Sequence, residues 1–439
     1  MPVHEGSNRH CRAGRWPCRG GGKLAKLRSP VNHALGAVRR ACRLLTPCRR
    51  GTSQSRLQQQ EFVRALVIST DAIDPSQRGK LHSLEGMGCS VALAVPADWP
   101  EGGHRVEWGA DGGIKVAPIQ VRGSGDPATL RWRGRELTRL LTEFRPDIVQ
   151  VEGEPWWPIT ARALRLAERL KIPAVLAASS SVPPSLRLAE RLRRRRSIRA
   201  ARGFIGINRL ALDLLLRDRP ATPHTVIPLH GVSVPVQGRP RSQRAGFDVG
   251  FIGRLVPERG ADLLIRACAR LRGDWSLTVV GTGPVQQELE SLAEKVGIGS
   301  RVRWLGGMPR NWLDSVWPTL DCVVLPARTT PRWVEPVGQA LLDAMAQGLP
   351  VVGTESGVLP EIIGDAGIVV GEDDPDLLGL ALERLQKMPD EQARLGAAGR
   401  RRVMAEYVDD AIARKTLAFW RRVVSGAAQE EPVREAPTP

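Results

Sequence analysis

The sequence predicts an α/β chain of two doubly wound, Rossmann-like domains that face a central cleft. Three observations carry this. Short apolar, β-branched runs alternate with amphipathic segments, the pattern of buried parallel strands joined by helices. The alternation breaks once, in a Pro-, Gly- and Arg-rich stretch around 230–246. It then restarts and continues to about residue 412.

The first run is "RALVIST" (64–70), followed by "CSVALAVPA", "IKVAPIQV", "DIVQVEG", "PAVLAAS", "GFIGIN" and "TVIPLHGV". Helical patterns lie between them, among them "DPATLRWRGRELTRLLTEF" and "PITARALRLAERL". After "GVSVPVQGRPRSQRAG" come "FDVGFIGRL", "SLTVVGTGP", "RVRWLGGM", "DCVVLPAR", "LPVVGTESG" and "GIVVGED". The expected organisation is therefore a basic extension over 1–61, a first domain over 62–235, a linker over 236–245 and a second domain over 246–412. A helix over 413–425 and a disordered tail over 426–439 complete it. In such a pair the ligand site lies in the cleft, at the carboxyl ends of the strands.

At 439 residues the chain is long enough for two or three cores. No run approaches 18 uninterrupted apolar residues, so no transmembrane helix is expected. The seven cysteines show neither a CxxC pair nor metal-ligand spacing, and a reducing, cytoplasmic setting is the default. The net charge of +18 is uneven: residues 1–60 hold 13 Lys/Arg against Glu5. That leader reads as a disordered extension, or as a start placed upstream of a true one at Val63. The other reading is a targeting or nucleic-acid-binding arm. Nucleic acid is not the expected partner, because the charge sits in the leader and the chain has one Tyr and six Phe.

The second domain carries the chemistry. "FIGRLVPERGADLLIRACARL" ends a strand at Gly253 and offers Arg254 and Arg259, two guanidiniums able to clamp a pyrophosphate. "VVGTGP" is a Gly-rich turn, with Thr282 between Gly281 and Gly283, that lets a ligand approach backbone. "VEPVGQALLDAMAQG" (334–348) starts a helix with Pro336 near its first position, where free N–H groups and the helix dipole favour an anion. Glu335 stands beside that anion and can accept bonds from hydroxyls; simple helix capping is its bland reading. Asp343 lies among Leu341, Leu342, Ala344 and Met345. That placement counts against a merely solvated face.

Taken in order, "GRLVPERG", "VVGTGP", "RVRWLG", "VVLPARTT", "EPVGQALLDAMAQGLPVVGT" and "SGVLPEIIGDAG" resemble the retaining GT-B glycosyltransferases of family 4. The resemblance is strong over 246–412 and weaker over 63–235. It implies that Glu335 binds donor-sugar hydroxyls and that Asp343 stands where a ribose-binding Glu normally stands. It implies that Arg254 and Arg259 hold the diphosphate. The backbone of Val337, Gly338 and Gln339 would cradle sugar and phosphates, with Gly253, Thr282, Gly283, Met308 and Pro336 completing the donor site. The donor would be a UDP- or GDP-sugar, used as substrate rather than cofactor, with retention, a front-face route and no metal.

The chain departs from that pattern in places. Asp343 is one carbon–carbon bond shorter than Glu, roughly 1.5 Å. Val337 replaces a usual Phe. "STDAIDPSQRGK" lacks the usual glycine-rich loop and offers Arg78 and Lys80 instead. "DIVQVEGEPWWP" places Glu152 where many members carry His, then Glu154 and Trp156. These five are the acceptor-side candidates, for a glycan or lipid-linked acceptor of surface polysaccharide or glycolipid synthesis. "PPSLRLAERLRRRRSIRAARG" (183–203) holds eight Arg against Glu190, which suits peripheral contact with anionic lipid at the inner membrane face. A solvated helix is the bland reading. The competing functional reading is a catalytically silent sugar-nucleotide binder, which would bind donor without transfer or hydrolysis.

Overall fold

The structure is a computed structural model that describes residues 62–99, 104–105, 109–123, 126–235 and 246–426. The expected leader, the linker over 236–245 and the tail after 426 lie outside the described residues.

In the first domain the strands are β1 (Arg64–Ile68), β2 (Ser90–Pro96), β3 (Ile114–Ile119), β4 (Ile148–Glu152), β5 (Ala174–Ala178), β6 (Gly203–Gly206) and β7 (His224–Val226). They pair in parallel in the order β7-β6-β5-β4-β1-β2-β3, and Gly109–Asp111 adds an antiparallel edge strand. Its helices are α1 (Gly79–Gly86), α2 (Glu136–Phe144), α3 (Pro158–Arg169), α4 (Leu188–Ala200) and α5 (Arg209–Leu216). The central strands are mostly apolar and buried on both faces, as a sheet sandwiched by helices requires, with Gln150 and Glu152 as buried polar exceptions on β4.

The second domain repeats the plan. Its strands are β8 (Phe247–Ile252), β9 (Trp275–Val280), β10 (Val302–Trp304), β11 (Cys322–Leu325), β12 (Val351–Thr354) and β13 (Ile368–Val370), all parallel, in the order β10-β9-β8-β11-β12-β13. Its helices are α6 (Ala261–Cys268), α7 (Gln286–Lys295), α8 (Gln339–Ala346), α9 (Leu359–Ile363), α10 (Pro375–Lys387) and α11 (Pro389–Glu406). In each sheet the order reverses once, between β1 and β4 and between β8 and β11. Those switch points open crevices at the carboxyl strand ends, where ligands of this architecture bind.

Helix α12 (Asp409–Ser425) returns to the first domain. Ile412, Ala413, Leu417, Phe419, Trp420 and Val423 are buried with Val63, Ala65 and Leu81 in one apolar cluster. Buried Trp420 also donates from Nε1 to Gln150 Oε1 at 2.8 Å. The helix begins at Asp409 rather than at 413, because Tyr407 ends α11 and Val408 is extended.

One helical expectation is corrected. The pattern over 126–144 becomes helix only from Glu136. Before it, Arg131–Trp132 pairs antiparallel with Val121–Arg122, and Gly134 takes a left-handed φ of 61°. Trp132 is buried and donates from Nε1 to Ile159 O at 3.0 Å, so a tertiary anchor overrides local helix preference. Leu137, Leu140, Leu141 and Phe144 then form the buried stripe of α2.

Among the described residues no helix is long and apolar enough to cross a membrane.

Candidate active site

The second domain's switch point brings three segments together: the turn after β8, the loop after β11 and the start of α8. Gly253 follows directly after β8, and a side chain at that position would meet only open space and the rim of Phe251. Arg254 follows and is exposed, with no carboxylate in ion-pair range among the described residues. Arg259 closes the short 3-10 turn Pro257–Arg259. Its Nη1 lies 2.9 Å from Glu335 Oε2, and its guanidinium sits 5.7 Å from the Trp333 ring centroid.

Glu335 is 1% exposed. Its Oε1 accepts from Gly338 N at 2.9 Å and from Val337 N at 3.3 Å. Its Oε2 makes no hydrogen bond and has only the ion pair with Arg259. The carboxylate thus caps the approach to α8 and faces a cation at the same time.

This corrects two expectations. Pro336 does not begin the helix; α8 starts at Gln339, with Gly338 as its cap at a left-handed φ of 66°. The Val337 and Gly338 amides, expected to face sugar and phosphates, donate to Glu335 Oε1 in this structure. The N–H groups left without an intrahelical partner are those of the first helical residues, Gln339 and Ala340.

The glycines of "VVGTGP" are also explained differently. A Cβ on Gly281 would stand 1.8 Å from Gly253 O, and one on Gly283 would stand 2.0 Å from Leu255 O. These glycines let two strand-end loops lie backbone to backbone, so the close approach is protein to protein. Thr282 is exposed between them, and Met308 packs half-buried against the domain core. Asp343 is half-buried, and its Oδ1 accepts from Gln339 Nε2 at 2.9 Å, one helical turn earlier.

Several positions were not foreseen. Arg328 grips Asp262 with both Nη atoms at 2.7 Å and also pairs with Asp373, which fixes the loop after β11 against the turn carrying Arg259. Hydrogen bonding to Asp262 holds the Arg328 guanidinium protonated well above its ordinary range. Gly357, at φ 57°, passes so close to Glu335 that a Cβ would lie 2.1 Å from Glu335 O. Val358 N donates to that same carbonyl at 3.0 Å. The glycine in "ESGVLPE" was the only sequence signal of this support. Asn208 is the third: it is 1% exposed, caps α5 through Ala211 N at 2.8 Å and donates across the cleft to Pro336 O at 2.7 Å.

On the first domain the acceptor-side candidates turn inward. Arg78 is 5% exposed and donates to the carbonyls of Ala72 and Ile73 and to Asp111 at 2.8 Å. Lys80 Nζ lies 2.7 Å from Glu152 Oε1, both side chains being 4% exposed. These residues stabilise the loop after β1 and the switch point of the first sheet. Burial pushes the Glu152 carboxyl up, but the charges of Lys80 and His230 and the hydrogen bonds from Lys80 and Ser69 together outweigh it and hold the group below the usual range. Glu154 Oε1 accepts from Ser179 N at 2.9 Å, Ser179 Oγ at 3.0 Å and Ser180 N at 2.8 Å. Burial pushes its carboxyl above the usual range despite those bonds. Trp156 is half-buried and accepts from Arg193 Nε at its carbonyl, at 2.8 Å.

Residues 240–402 match the family model of glycosyl transferases group 1, and residues 76–230 match that of the glycosyl transferase 4-like domain. A GDP-mannose-dependent alpha-(1-6)-phosphatidylinositol monomannoside mannosyltransferase of Mycolicibacterium smegmatis is 36% identical over 156 residues, 34% of this chain and 41% of that protein. A GDP-mannose-dependent monoacylated alpha-(1-6)-phosphatidylinositol monomannoside mannosyltransferase of Corynebacterium glutamicum is 37% identical over 160 residues, 35% of this chain and 42% of that protein. The chain spans less than half the length of each of these relatives. Sucrose-phosphate synthase from Thermosynechococcus elongatus superposes with a TM-score of 0.58 at 18% identity, over 83% of this chain and 100% of that one. With the two family models seated in order on its two domains, and that fold shared over both, the chain belongs to the family 4 glycosyltransferases of the GT-B fold.

Proposed function

We propose that this protein transfers a glycosyl group, with retention, from a nucleotide sugar to a lipid-linked acceptor, working at the cytoplasmic membrane face. The observation that carries the reading is the exposed Arg254 beside open Gly253, next to the Arg259–Glu335 pair at the start of α8. Cations and helix amides there suit a diphosphate, and a buried carboxylate beside them suits hydroxyls. The relatives named for GDP-mannose and phosphatidylinositol mannosides favour a GDP-sugar and a glycolipid acceptor.

In the reaction the bond between the anomeric carbon and the diphosphate oxygen breaks, and the electron pair leaves with the diphosphate. Arg254 and the Gln339 and Ala340 amides stabilise that growing charge, a contribution realised most in the transition state. The ring gains positive character, which the Glu335 carboxylate offsets. The acceptor hydroxyl attacks from the face the leaving group vacates, and its proton passes to the departing phosphate. Atoms and charge balance with no further reactant.

The test is thermal stabilisation by UDP-, GDP- and ADP-sugars, followed by calorimetry on Arg254→Ala. One nucleotide series should stabilise the protein. Arg254→Ala should weaken nucleoside diphosphate and nucleotide sugar alike, by about 1.5–3 kcal/mol for a lost charged contact. Unchanged diphosphate affinity in the folded variant removes Arg254 from the site.

A further inference from the structure

We propose that the cavity between α4 and α5 is a second anion site, which takes a phosphate-bearing group apart from the donor's diphosphate. It rests on the glycosyl-transfer reading only in assigning that group to the acceptor. The cavity holds about 860 Å³, and every residue lining it belongs to the first domain. That volume suits a small ligand rather than a lone ion.

Six arginines face it: Arg191, Arg194, Arg195 and Arg199 from α4, and Arg217 and Arg219 just beyond α5. Two carboxylates, Glu154 and Asp218, line the same space. Part of this charge builds the walls. Arg194 pairs with Asp218 and donates to Leu214 O at 2.9 Å. Arg219 Nη1 reaches the carbonyls of Ile198, Arg199 and Ala201 at 3.2 Å each, closing the carboxyl end of α4. Arg191 spends only its Nε, on Leu186 O at 3.0 Å.

Arg195, Arg199 and Arg217 remain exposed, with no carboxylate in ion-pair range among the described residues. Crowding like charges around one hollow is unfavourable unless an anion offsets it. Guanidinium forks match phosphate oxygens two at a time. Glu154 opposes an anion, but three hydrogen bonds from Ser179 and Ser180 hold its Oε1. Trp156, Pro184 and Leu186 add apolar wall, so the rest of the ligand has somewhere to pack.

The test uses the full chain carrying Arg254→Ala, which weakens the donor's own phosphate site. Inorganic pyrophosphate is titrated calorimetrically. Flotation is measured with vesicles of phosphatidylcholine, alone or mixed with phosphatidylglycerol. Both measurements are repeated with Arg195→Glu/Arg199→Glu added and with a charge-matched control, Arg401→Glu/Arg414→Glu, on α11 and α12. The basic leader is present throughout and cancels in the comparison. At least a tenfold loss of pyrophosphate affinity in the cavity variant alone supports the site and identifies a soluble phosphorylated group. Loss of phosphatidylglycerol-dependent flotation in that variant alone supports it as a lipid headgroup site. Loss in neither assay, or equal loss in the control, overturns the proposal. If circular dichroism shows the Glu variant unfolded, Arg195→Ala/Arg199→Ala replaces it. Nucleotide-sugar binding by the chain with Arg254 intact is measured alongside: its absence sinks the glycosyl-transfer reading and leaves this result standing.

Discussion

Asn208 Nδ2 of the first domain lies 2.7 Å from the main-chain carbonyl of Pro336 in the second. The same amide nitrogen donates to Ser181 Oγ at 2.8 Å, while Oδ1 caps α5. One buried side chain therefore ties a helix start, a loop of the first domain and the residue after Glu335. The Glu335 segment is tied to the opposite wall of the cleft by this contact.

Asn208→Asp separates those roles. Aspartate keeps the cap but cannot donate, and it sets an oxygen against the Pro336 carbonyl. We expect the melting temperature to fall, because two hydrogen bonds at about 0.5–1.5 kcal/mol each are lost and a buried carboxylate then faces the Pro336 carbonyl, and kcat to fall about tenfold in the variant that remains folded. Asn208→Ala should lose the cap as well, at about 1 kcal/mol. A wild-type turnover rate in Asn208→Asp would remove the contact from catalysis.

Glu335→Gln should act on turnover. The amide retains an acceptor for Gly338 N but leaves Arg259 without its countercharge and offers no charge to the ring. A fall in kcat of about 10²–10³-fold is expected, the size seen when one preorganised contact is removed, with diphosphate affinity nearly intact. Donor hydrolysis serves as the assay where no acceptor is in hand. The assignment fails if the variant keeps its rate, or if it loses diphosphate binding as Arg254→Ala does.

Lys80 and Glu152 give a pH signature. The Glu152 carboxyl lies below its ordinary 4.5 in the folded chain, so the pair's stabilisation is present above that value and lost as pH falls through the folded one. Lys80→Met strands a buried carboxylate and should cost about 3–5 kcal/mol at neutral pH. It should also reverse the sign: Glu152 then titrates above its ordinary value, and stability falls as pH rises. Urea unfolding at about pH 3, pH 5 and pH 8 reads both effects. Lys80→Met/Glu152→Leu should recover most of the loss, since a packed apolar pair avoids the desolvation penalty. A variant with the wild-type pH slope would show that the pair does not govern Glu152.

The placement of the second domain's candidate residues was legible because they sit at strand ends in a fixed order. Gly253 and Arg254 follow an unmistakable apolar run, and Glu335 precedes the next helix. The first domain was less legible. Arg78, Lys80 and Glu152 are residue types that could bind acceptors, and only the folded structure shows Arg78 paired with Asp111 and Lys80 with Glu152. Gly281 and Gly283 had the pattern of a ligand turn, but the pattern is silent on which backbone passes close.

The sequence by itself determined the two domains, their parallel strands and the placing of cations and a carboxylate at one strand-end cleft. Those features follow from local periodicity and from the order of elements along the chain. Tertiary structure alone decided the partners. It paired Arg259 with Glu335, gave the Val337 and Gly338 amides to that same carboxylate, joined Asn208 to Pro336 and gathered six arginines around one cavity. A pairing depends on distances between segments far apart in the chain, and residue type and spacing hold no record of those distances.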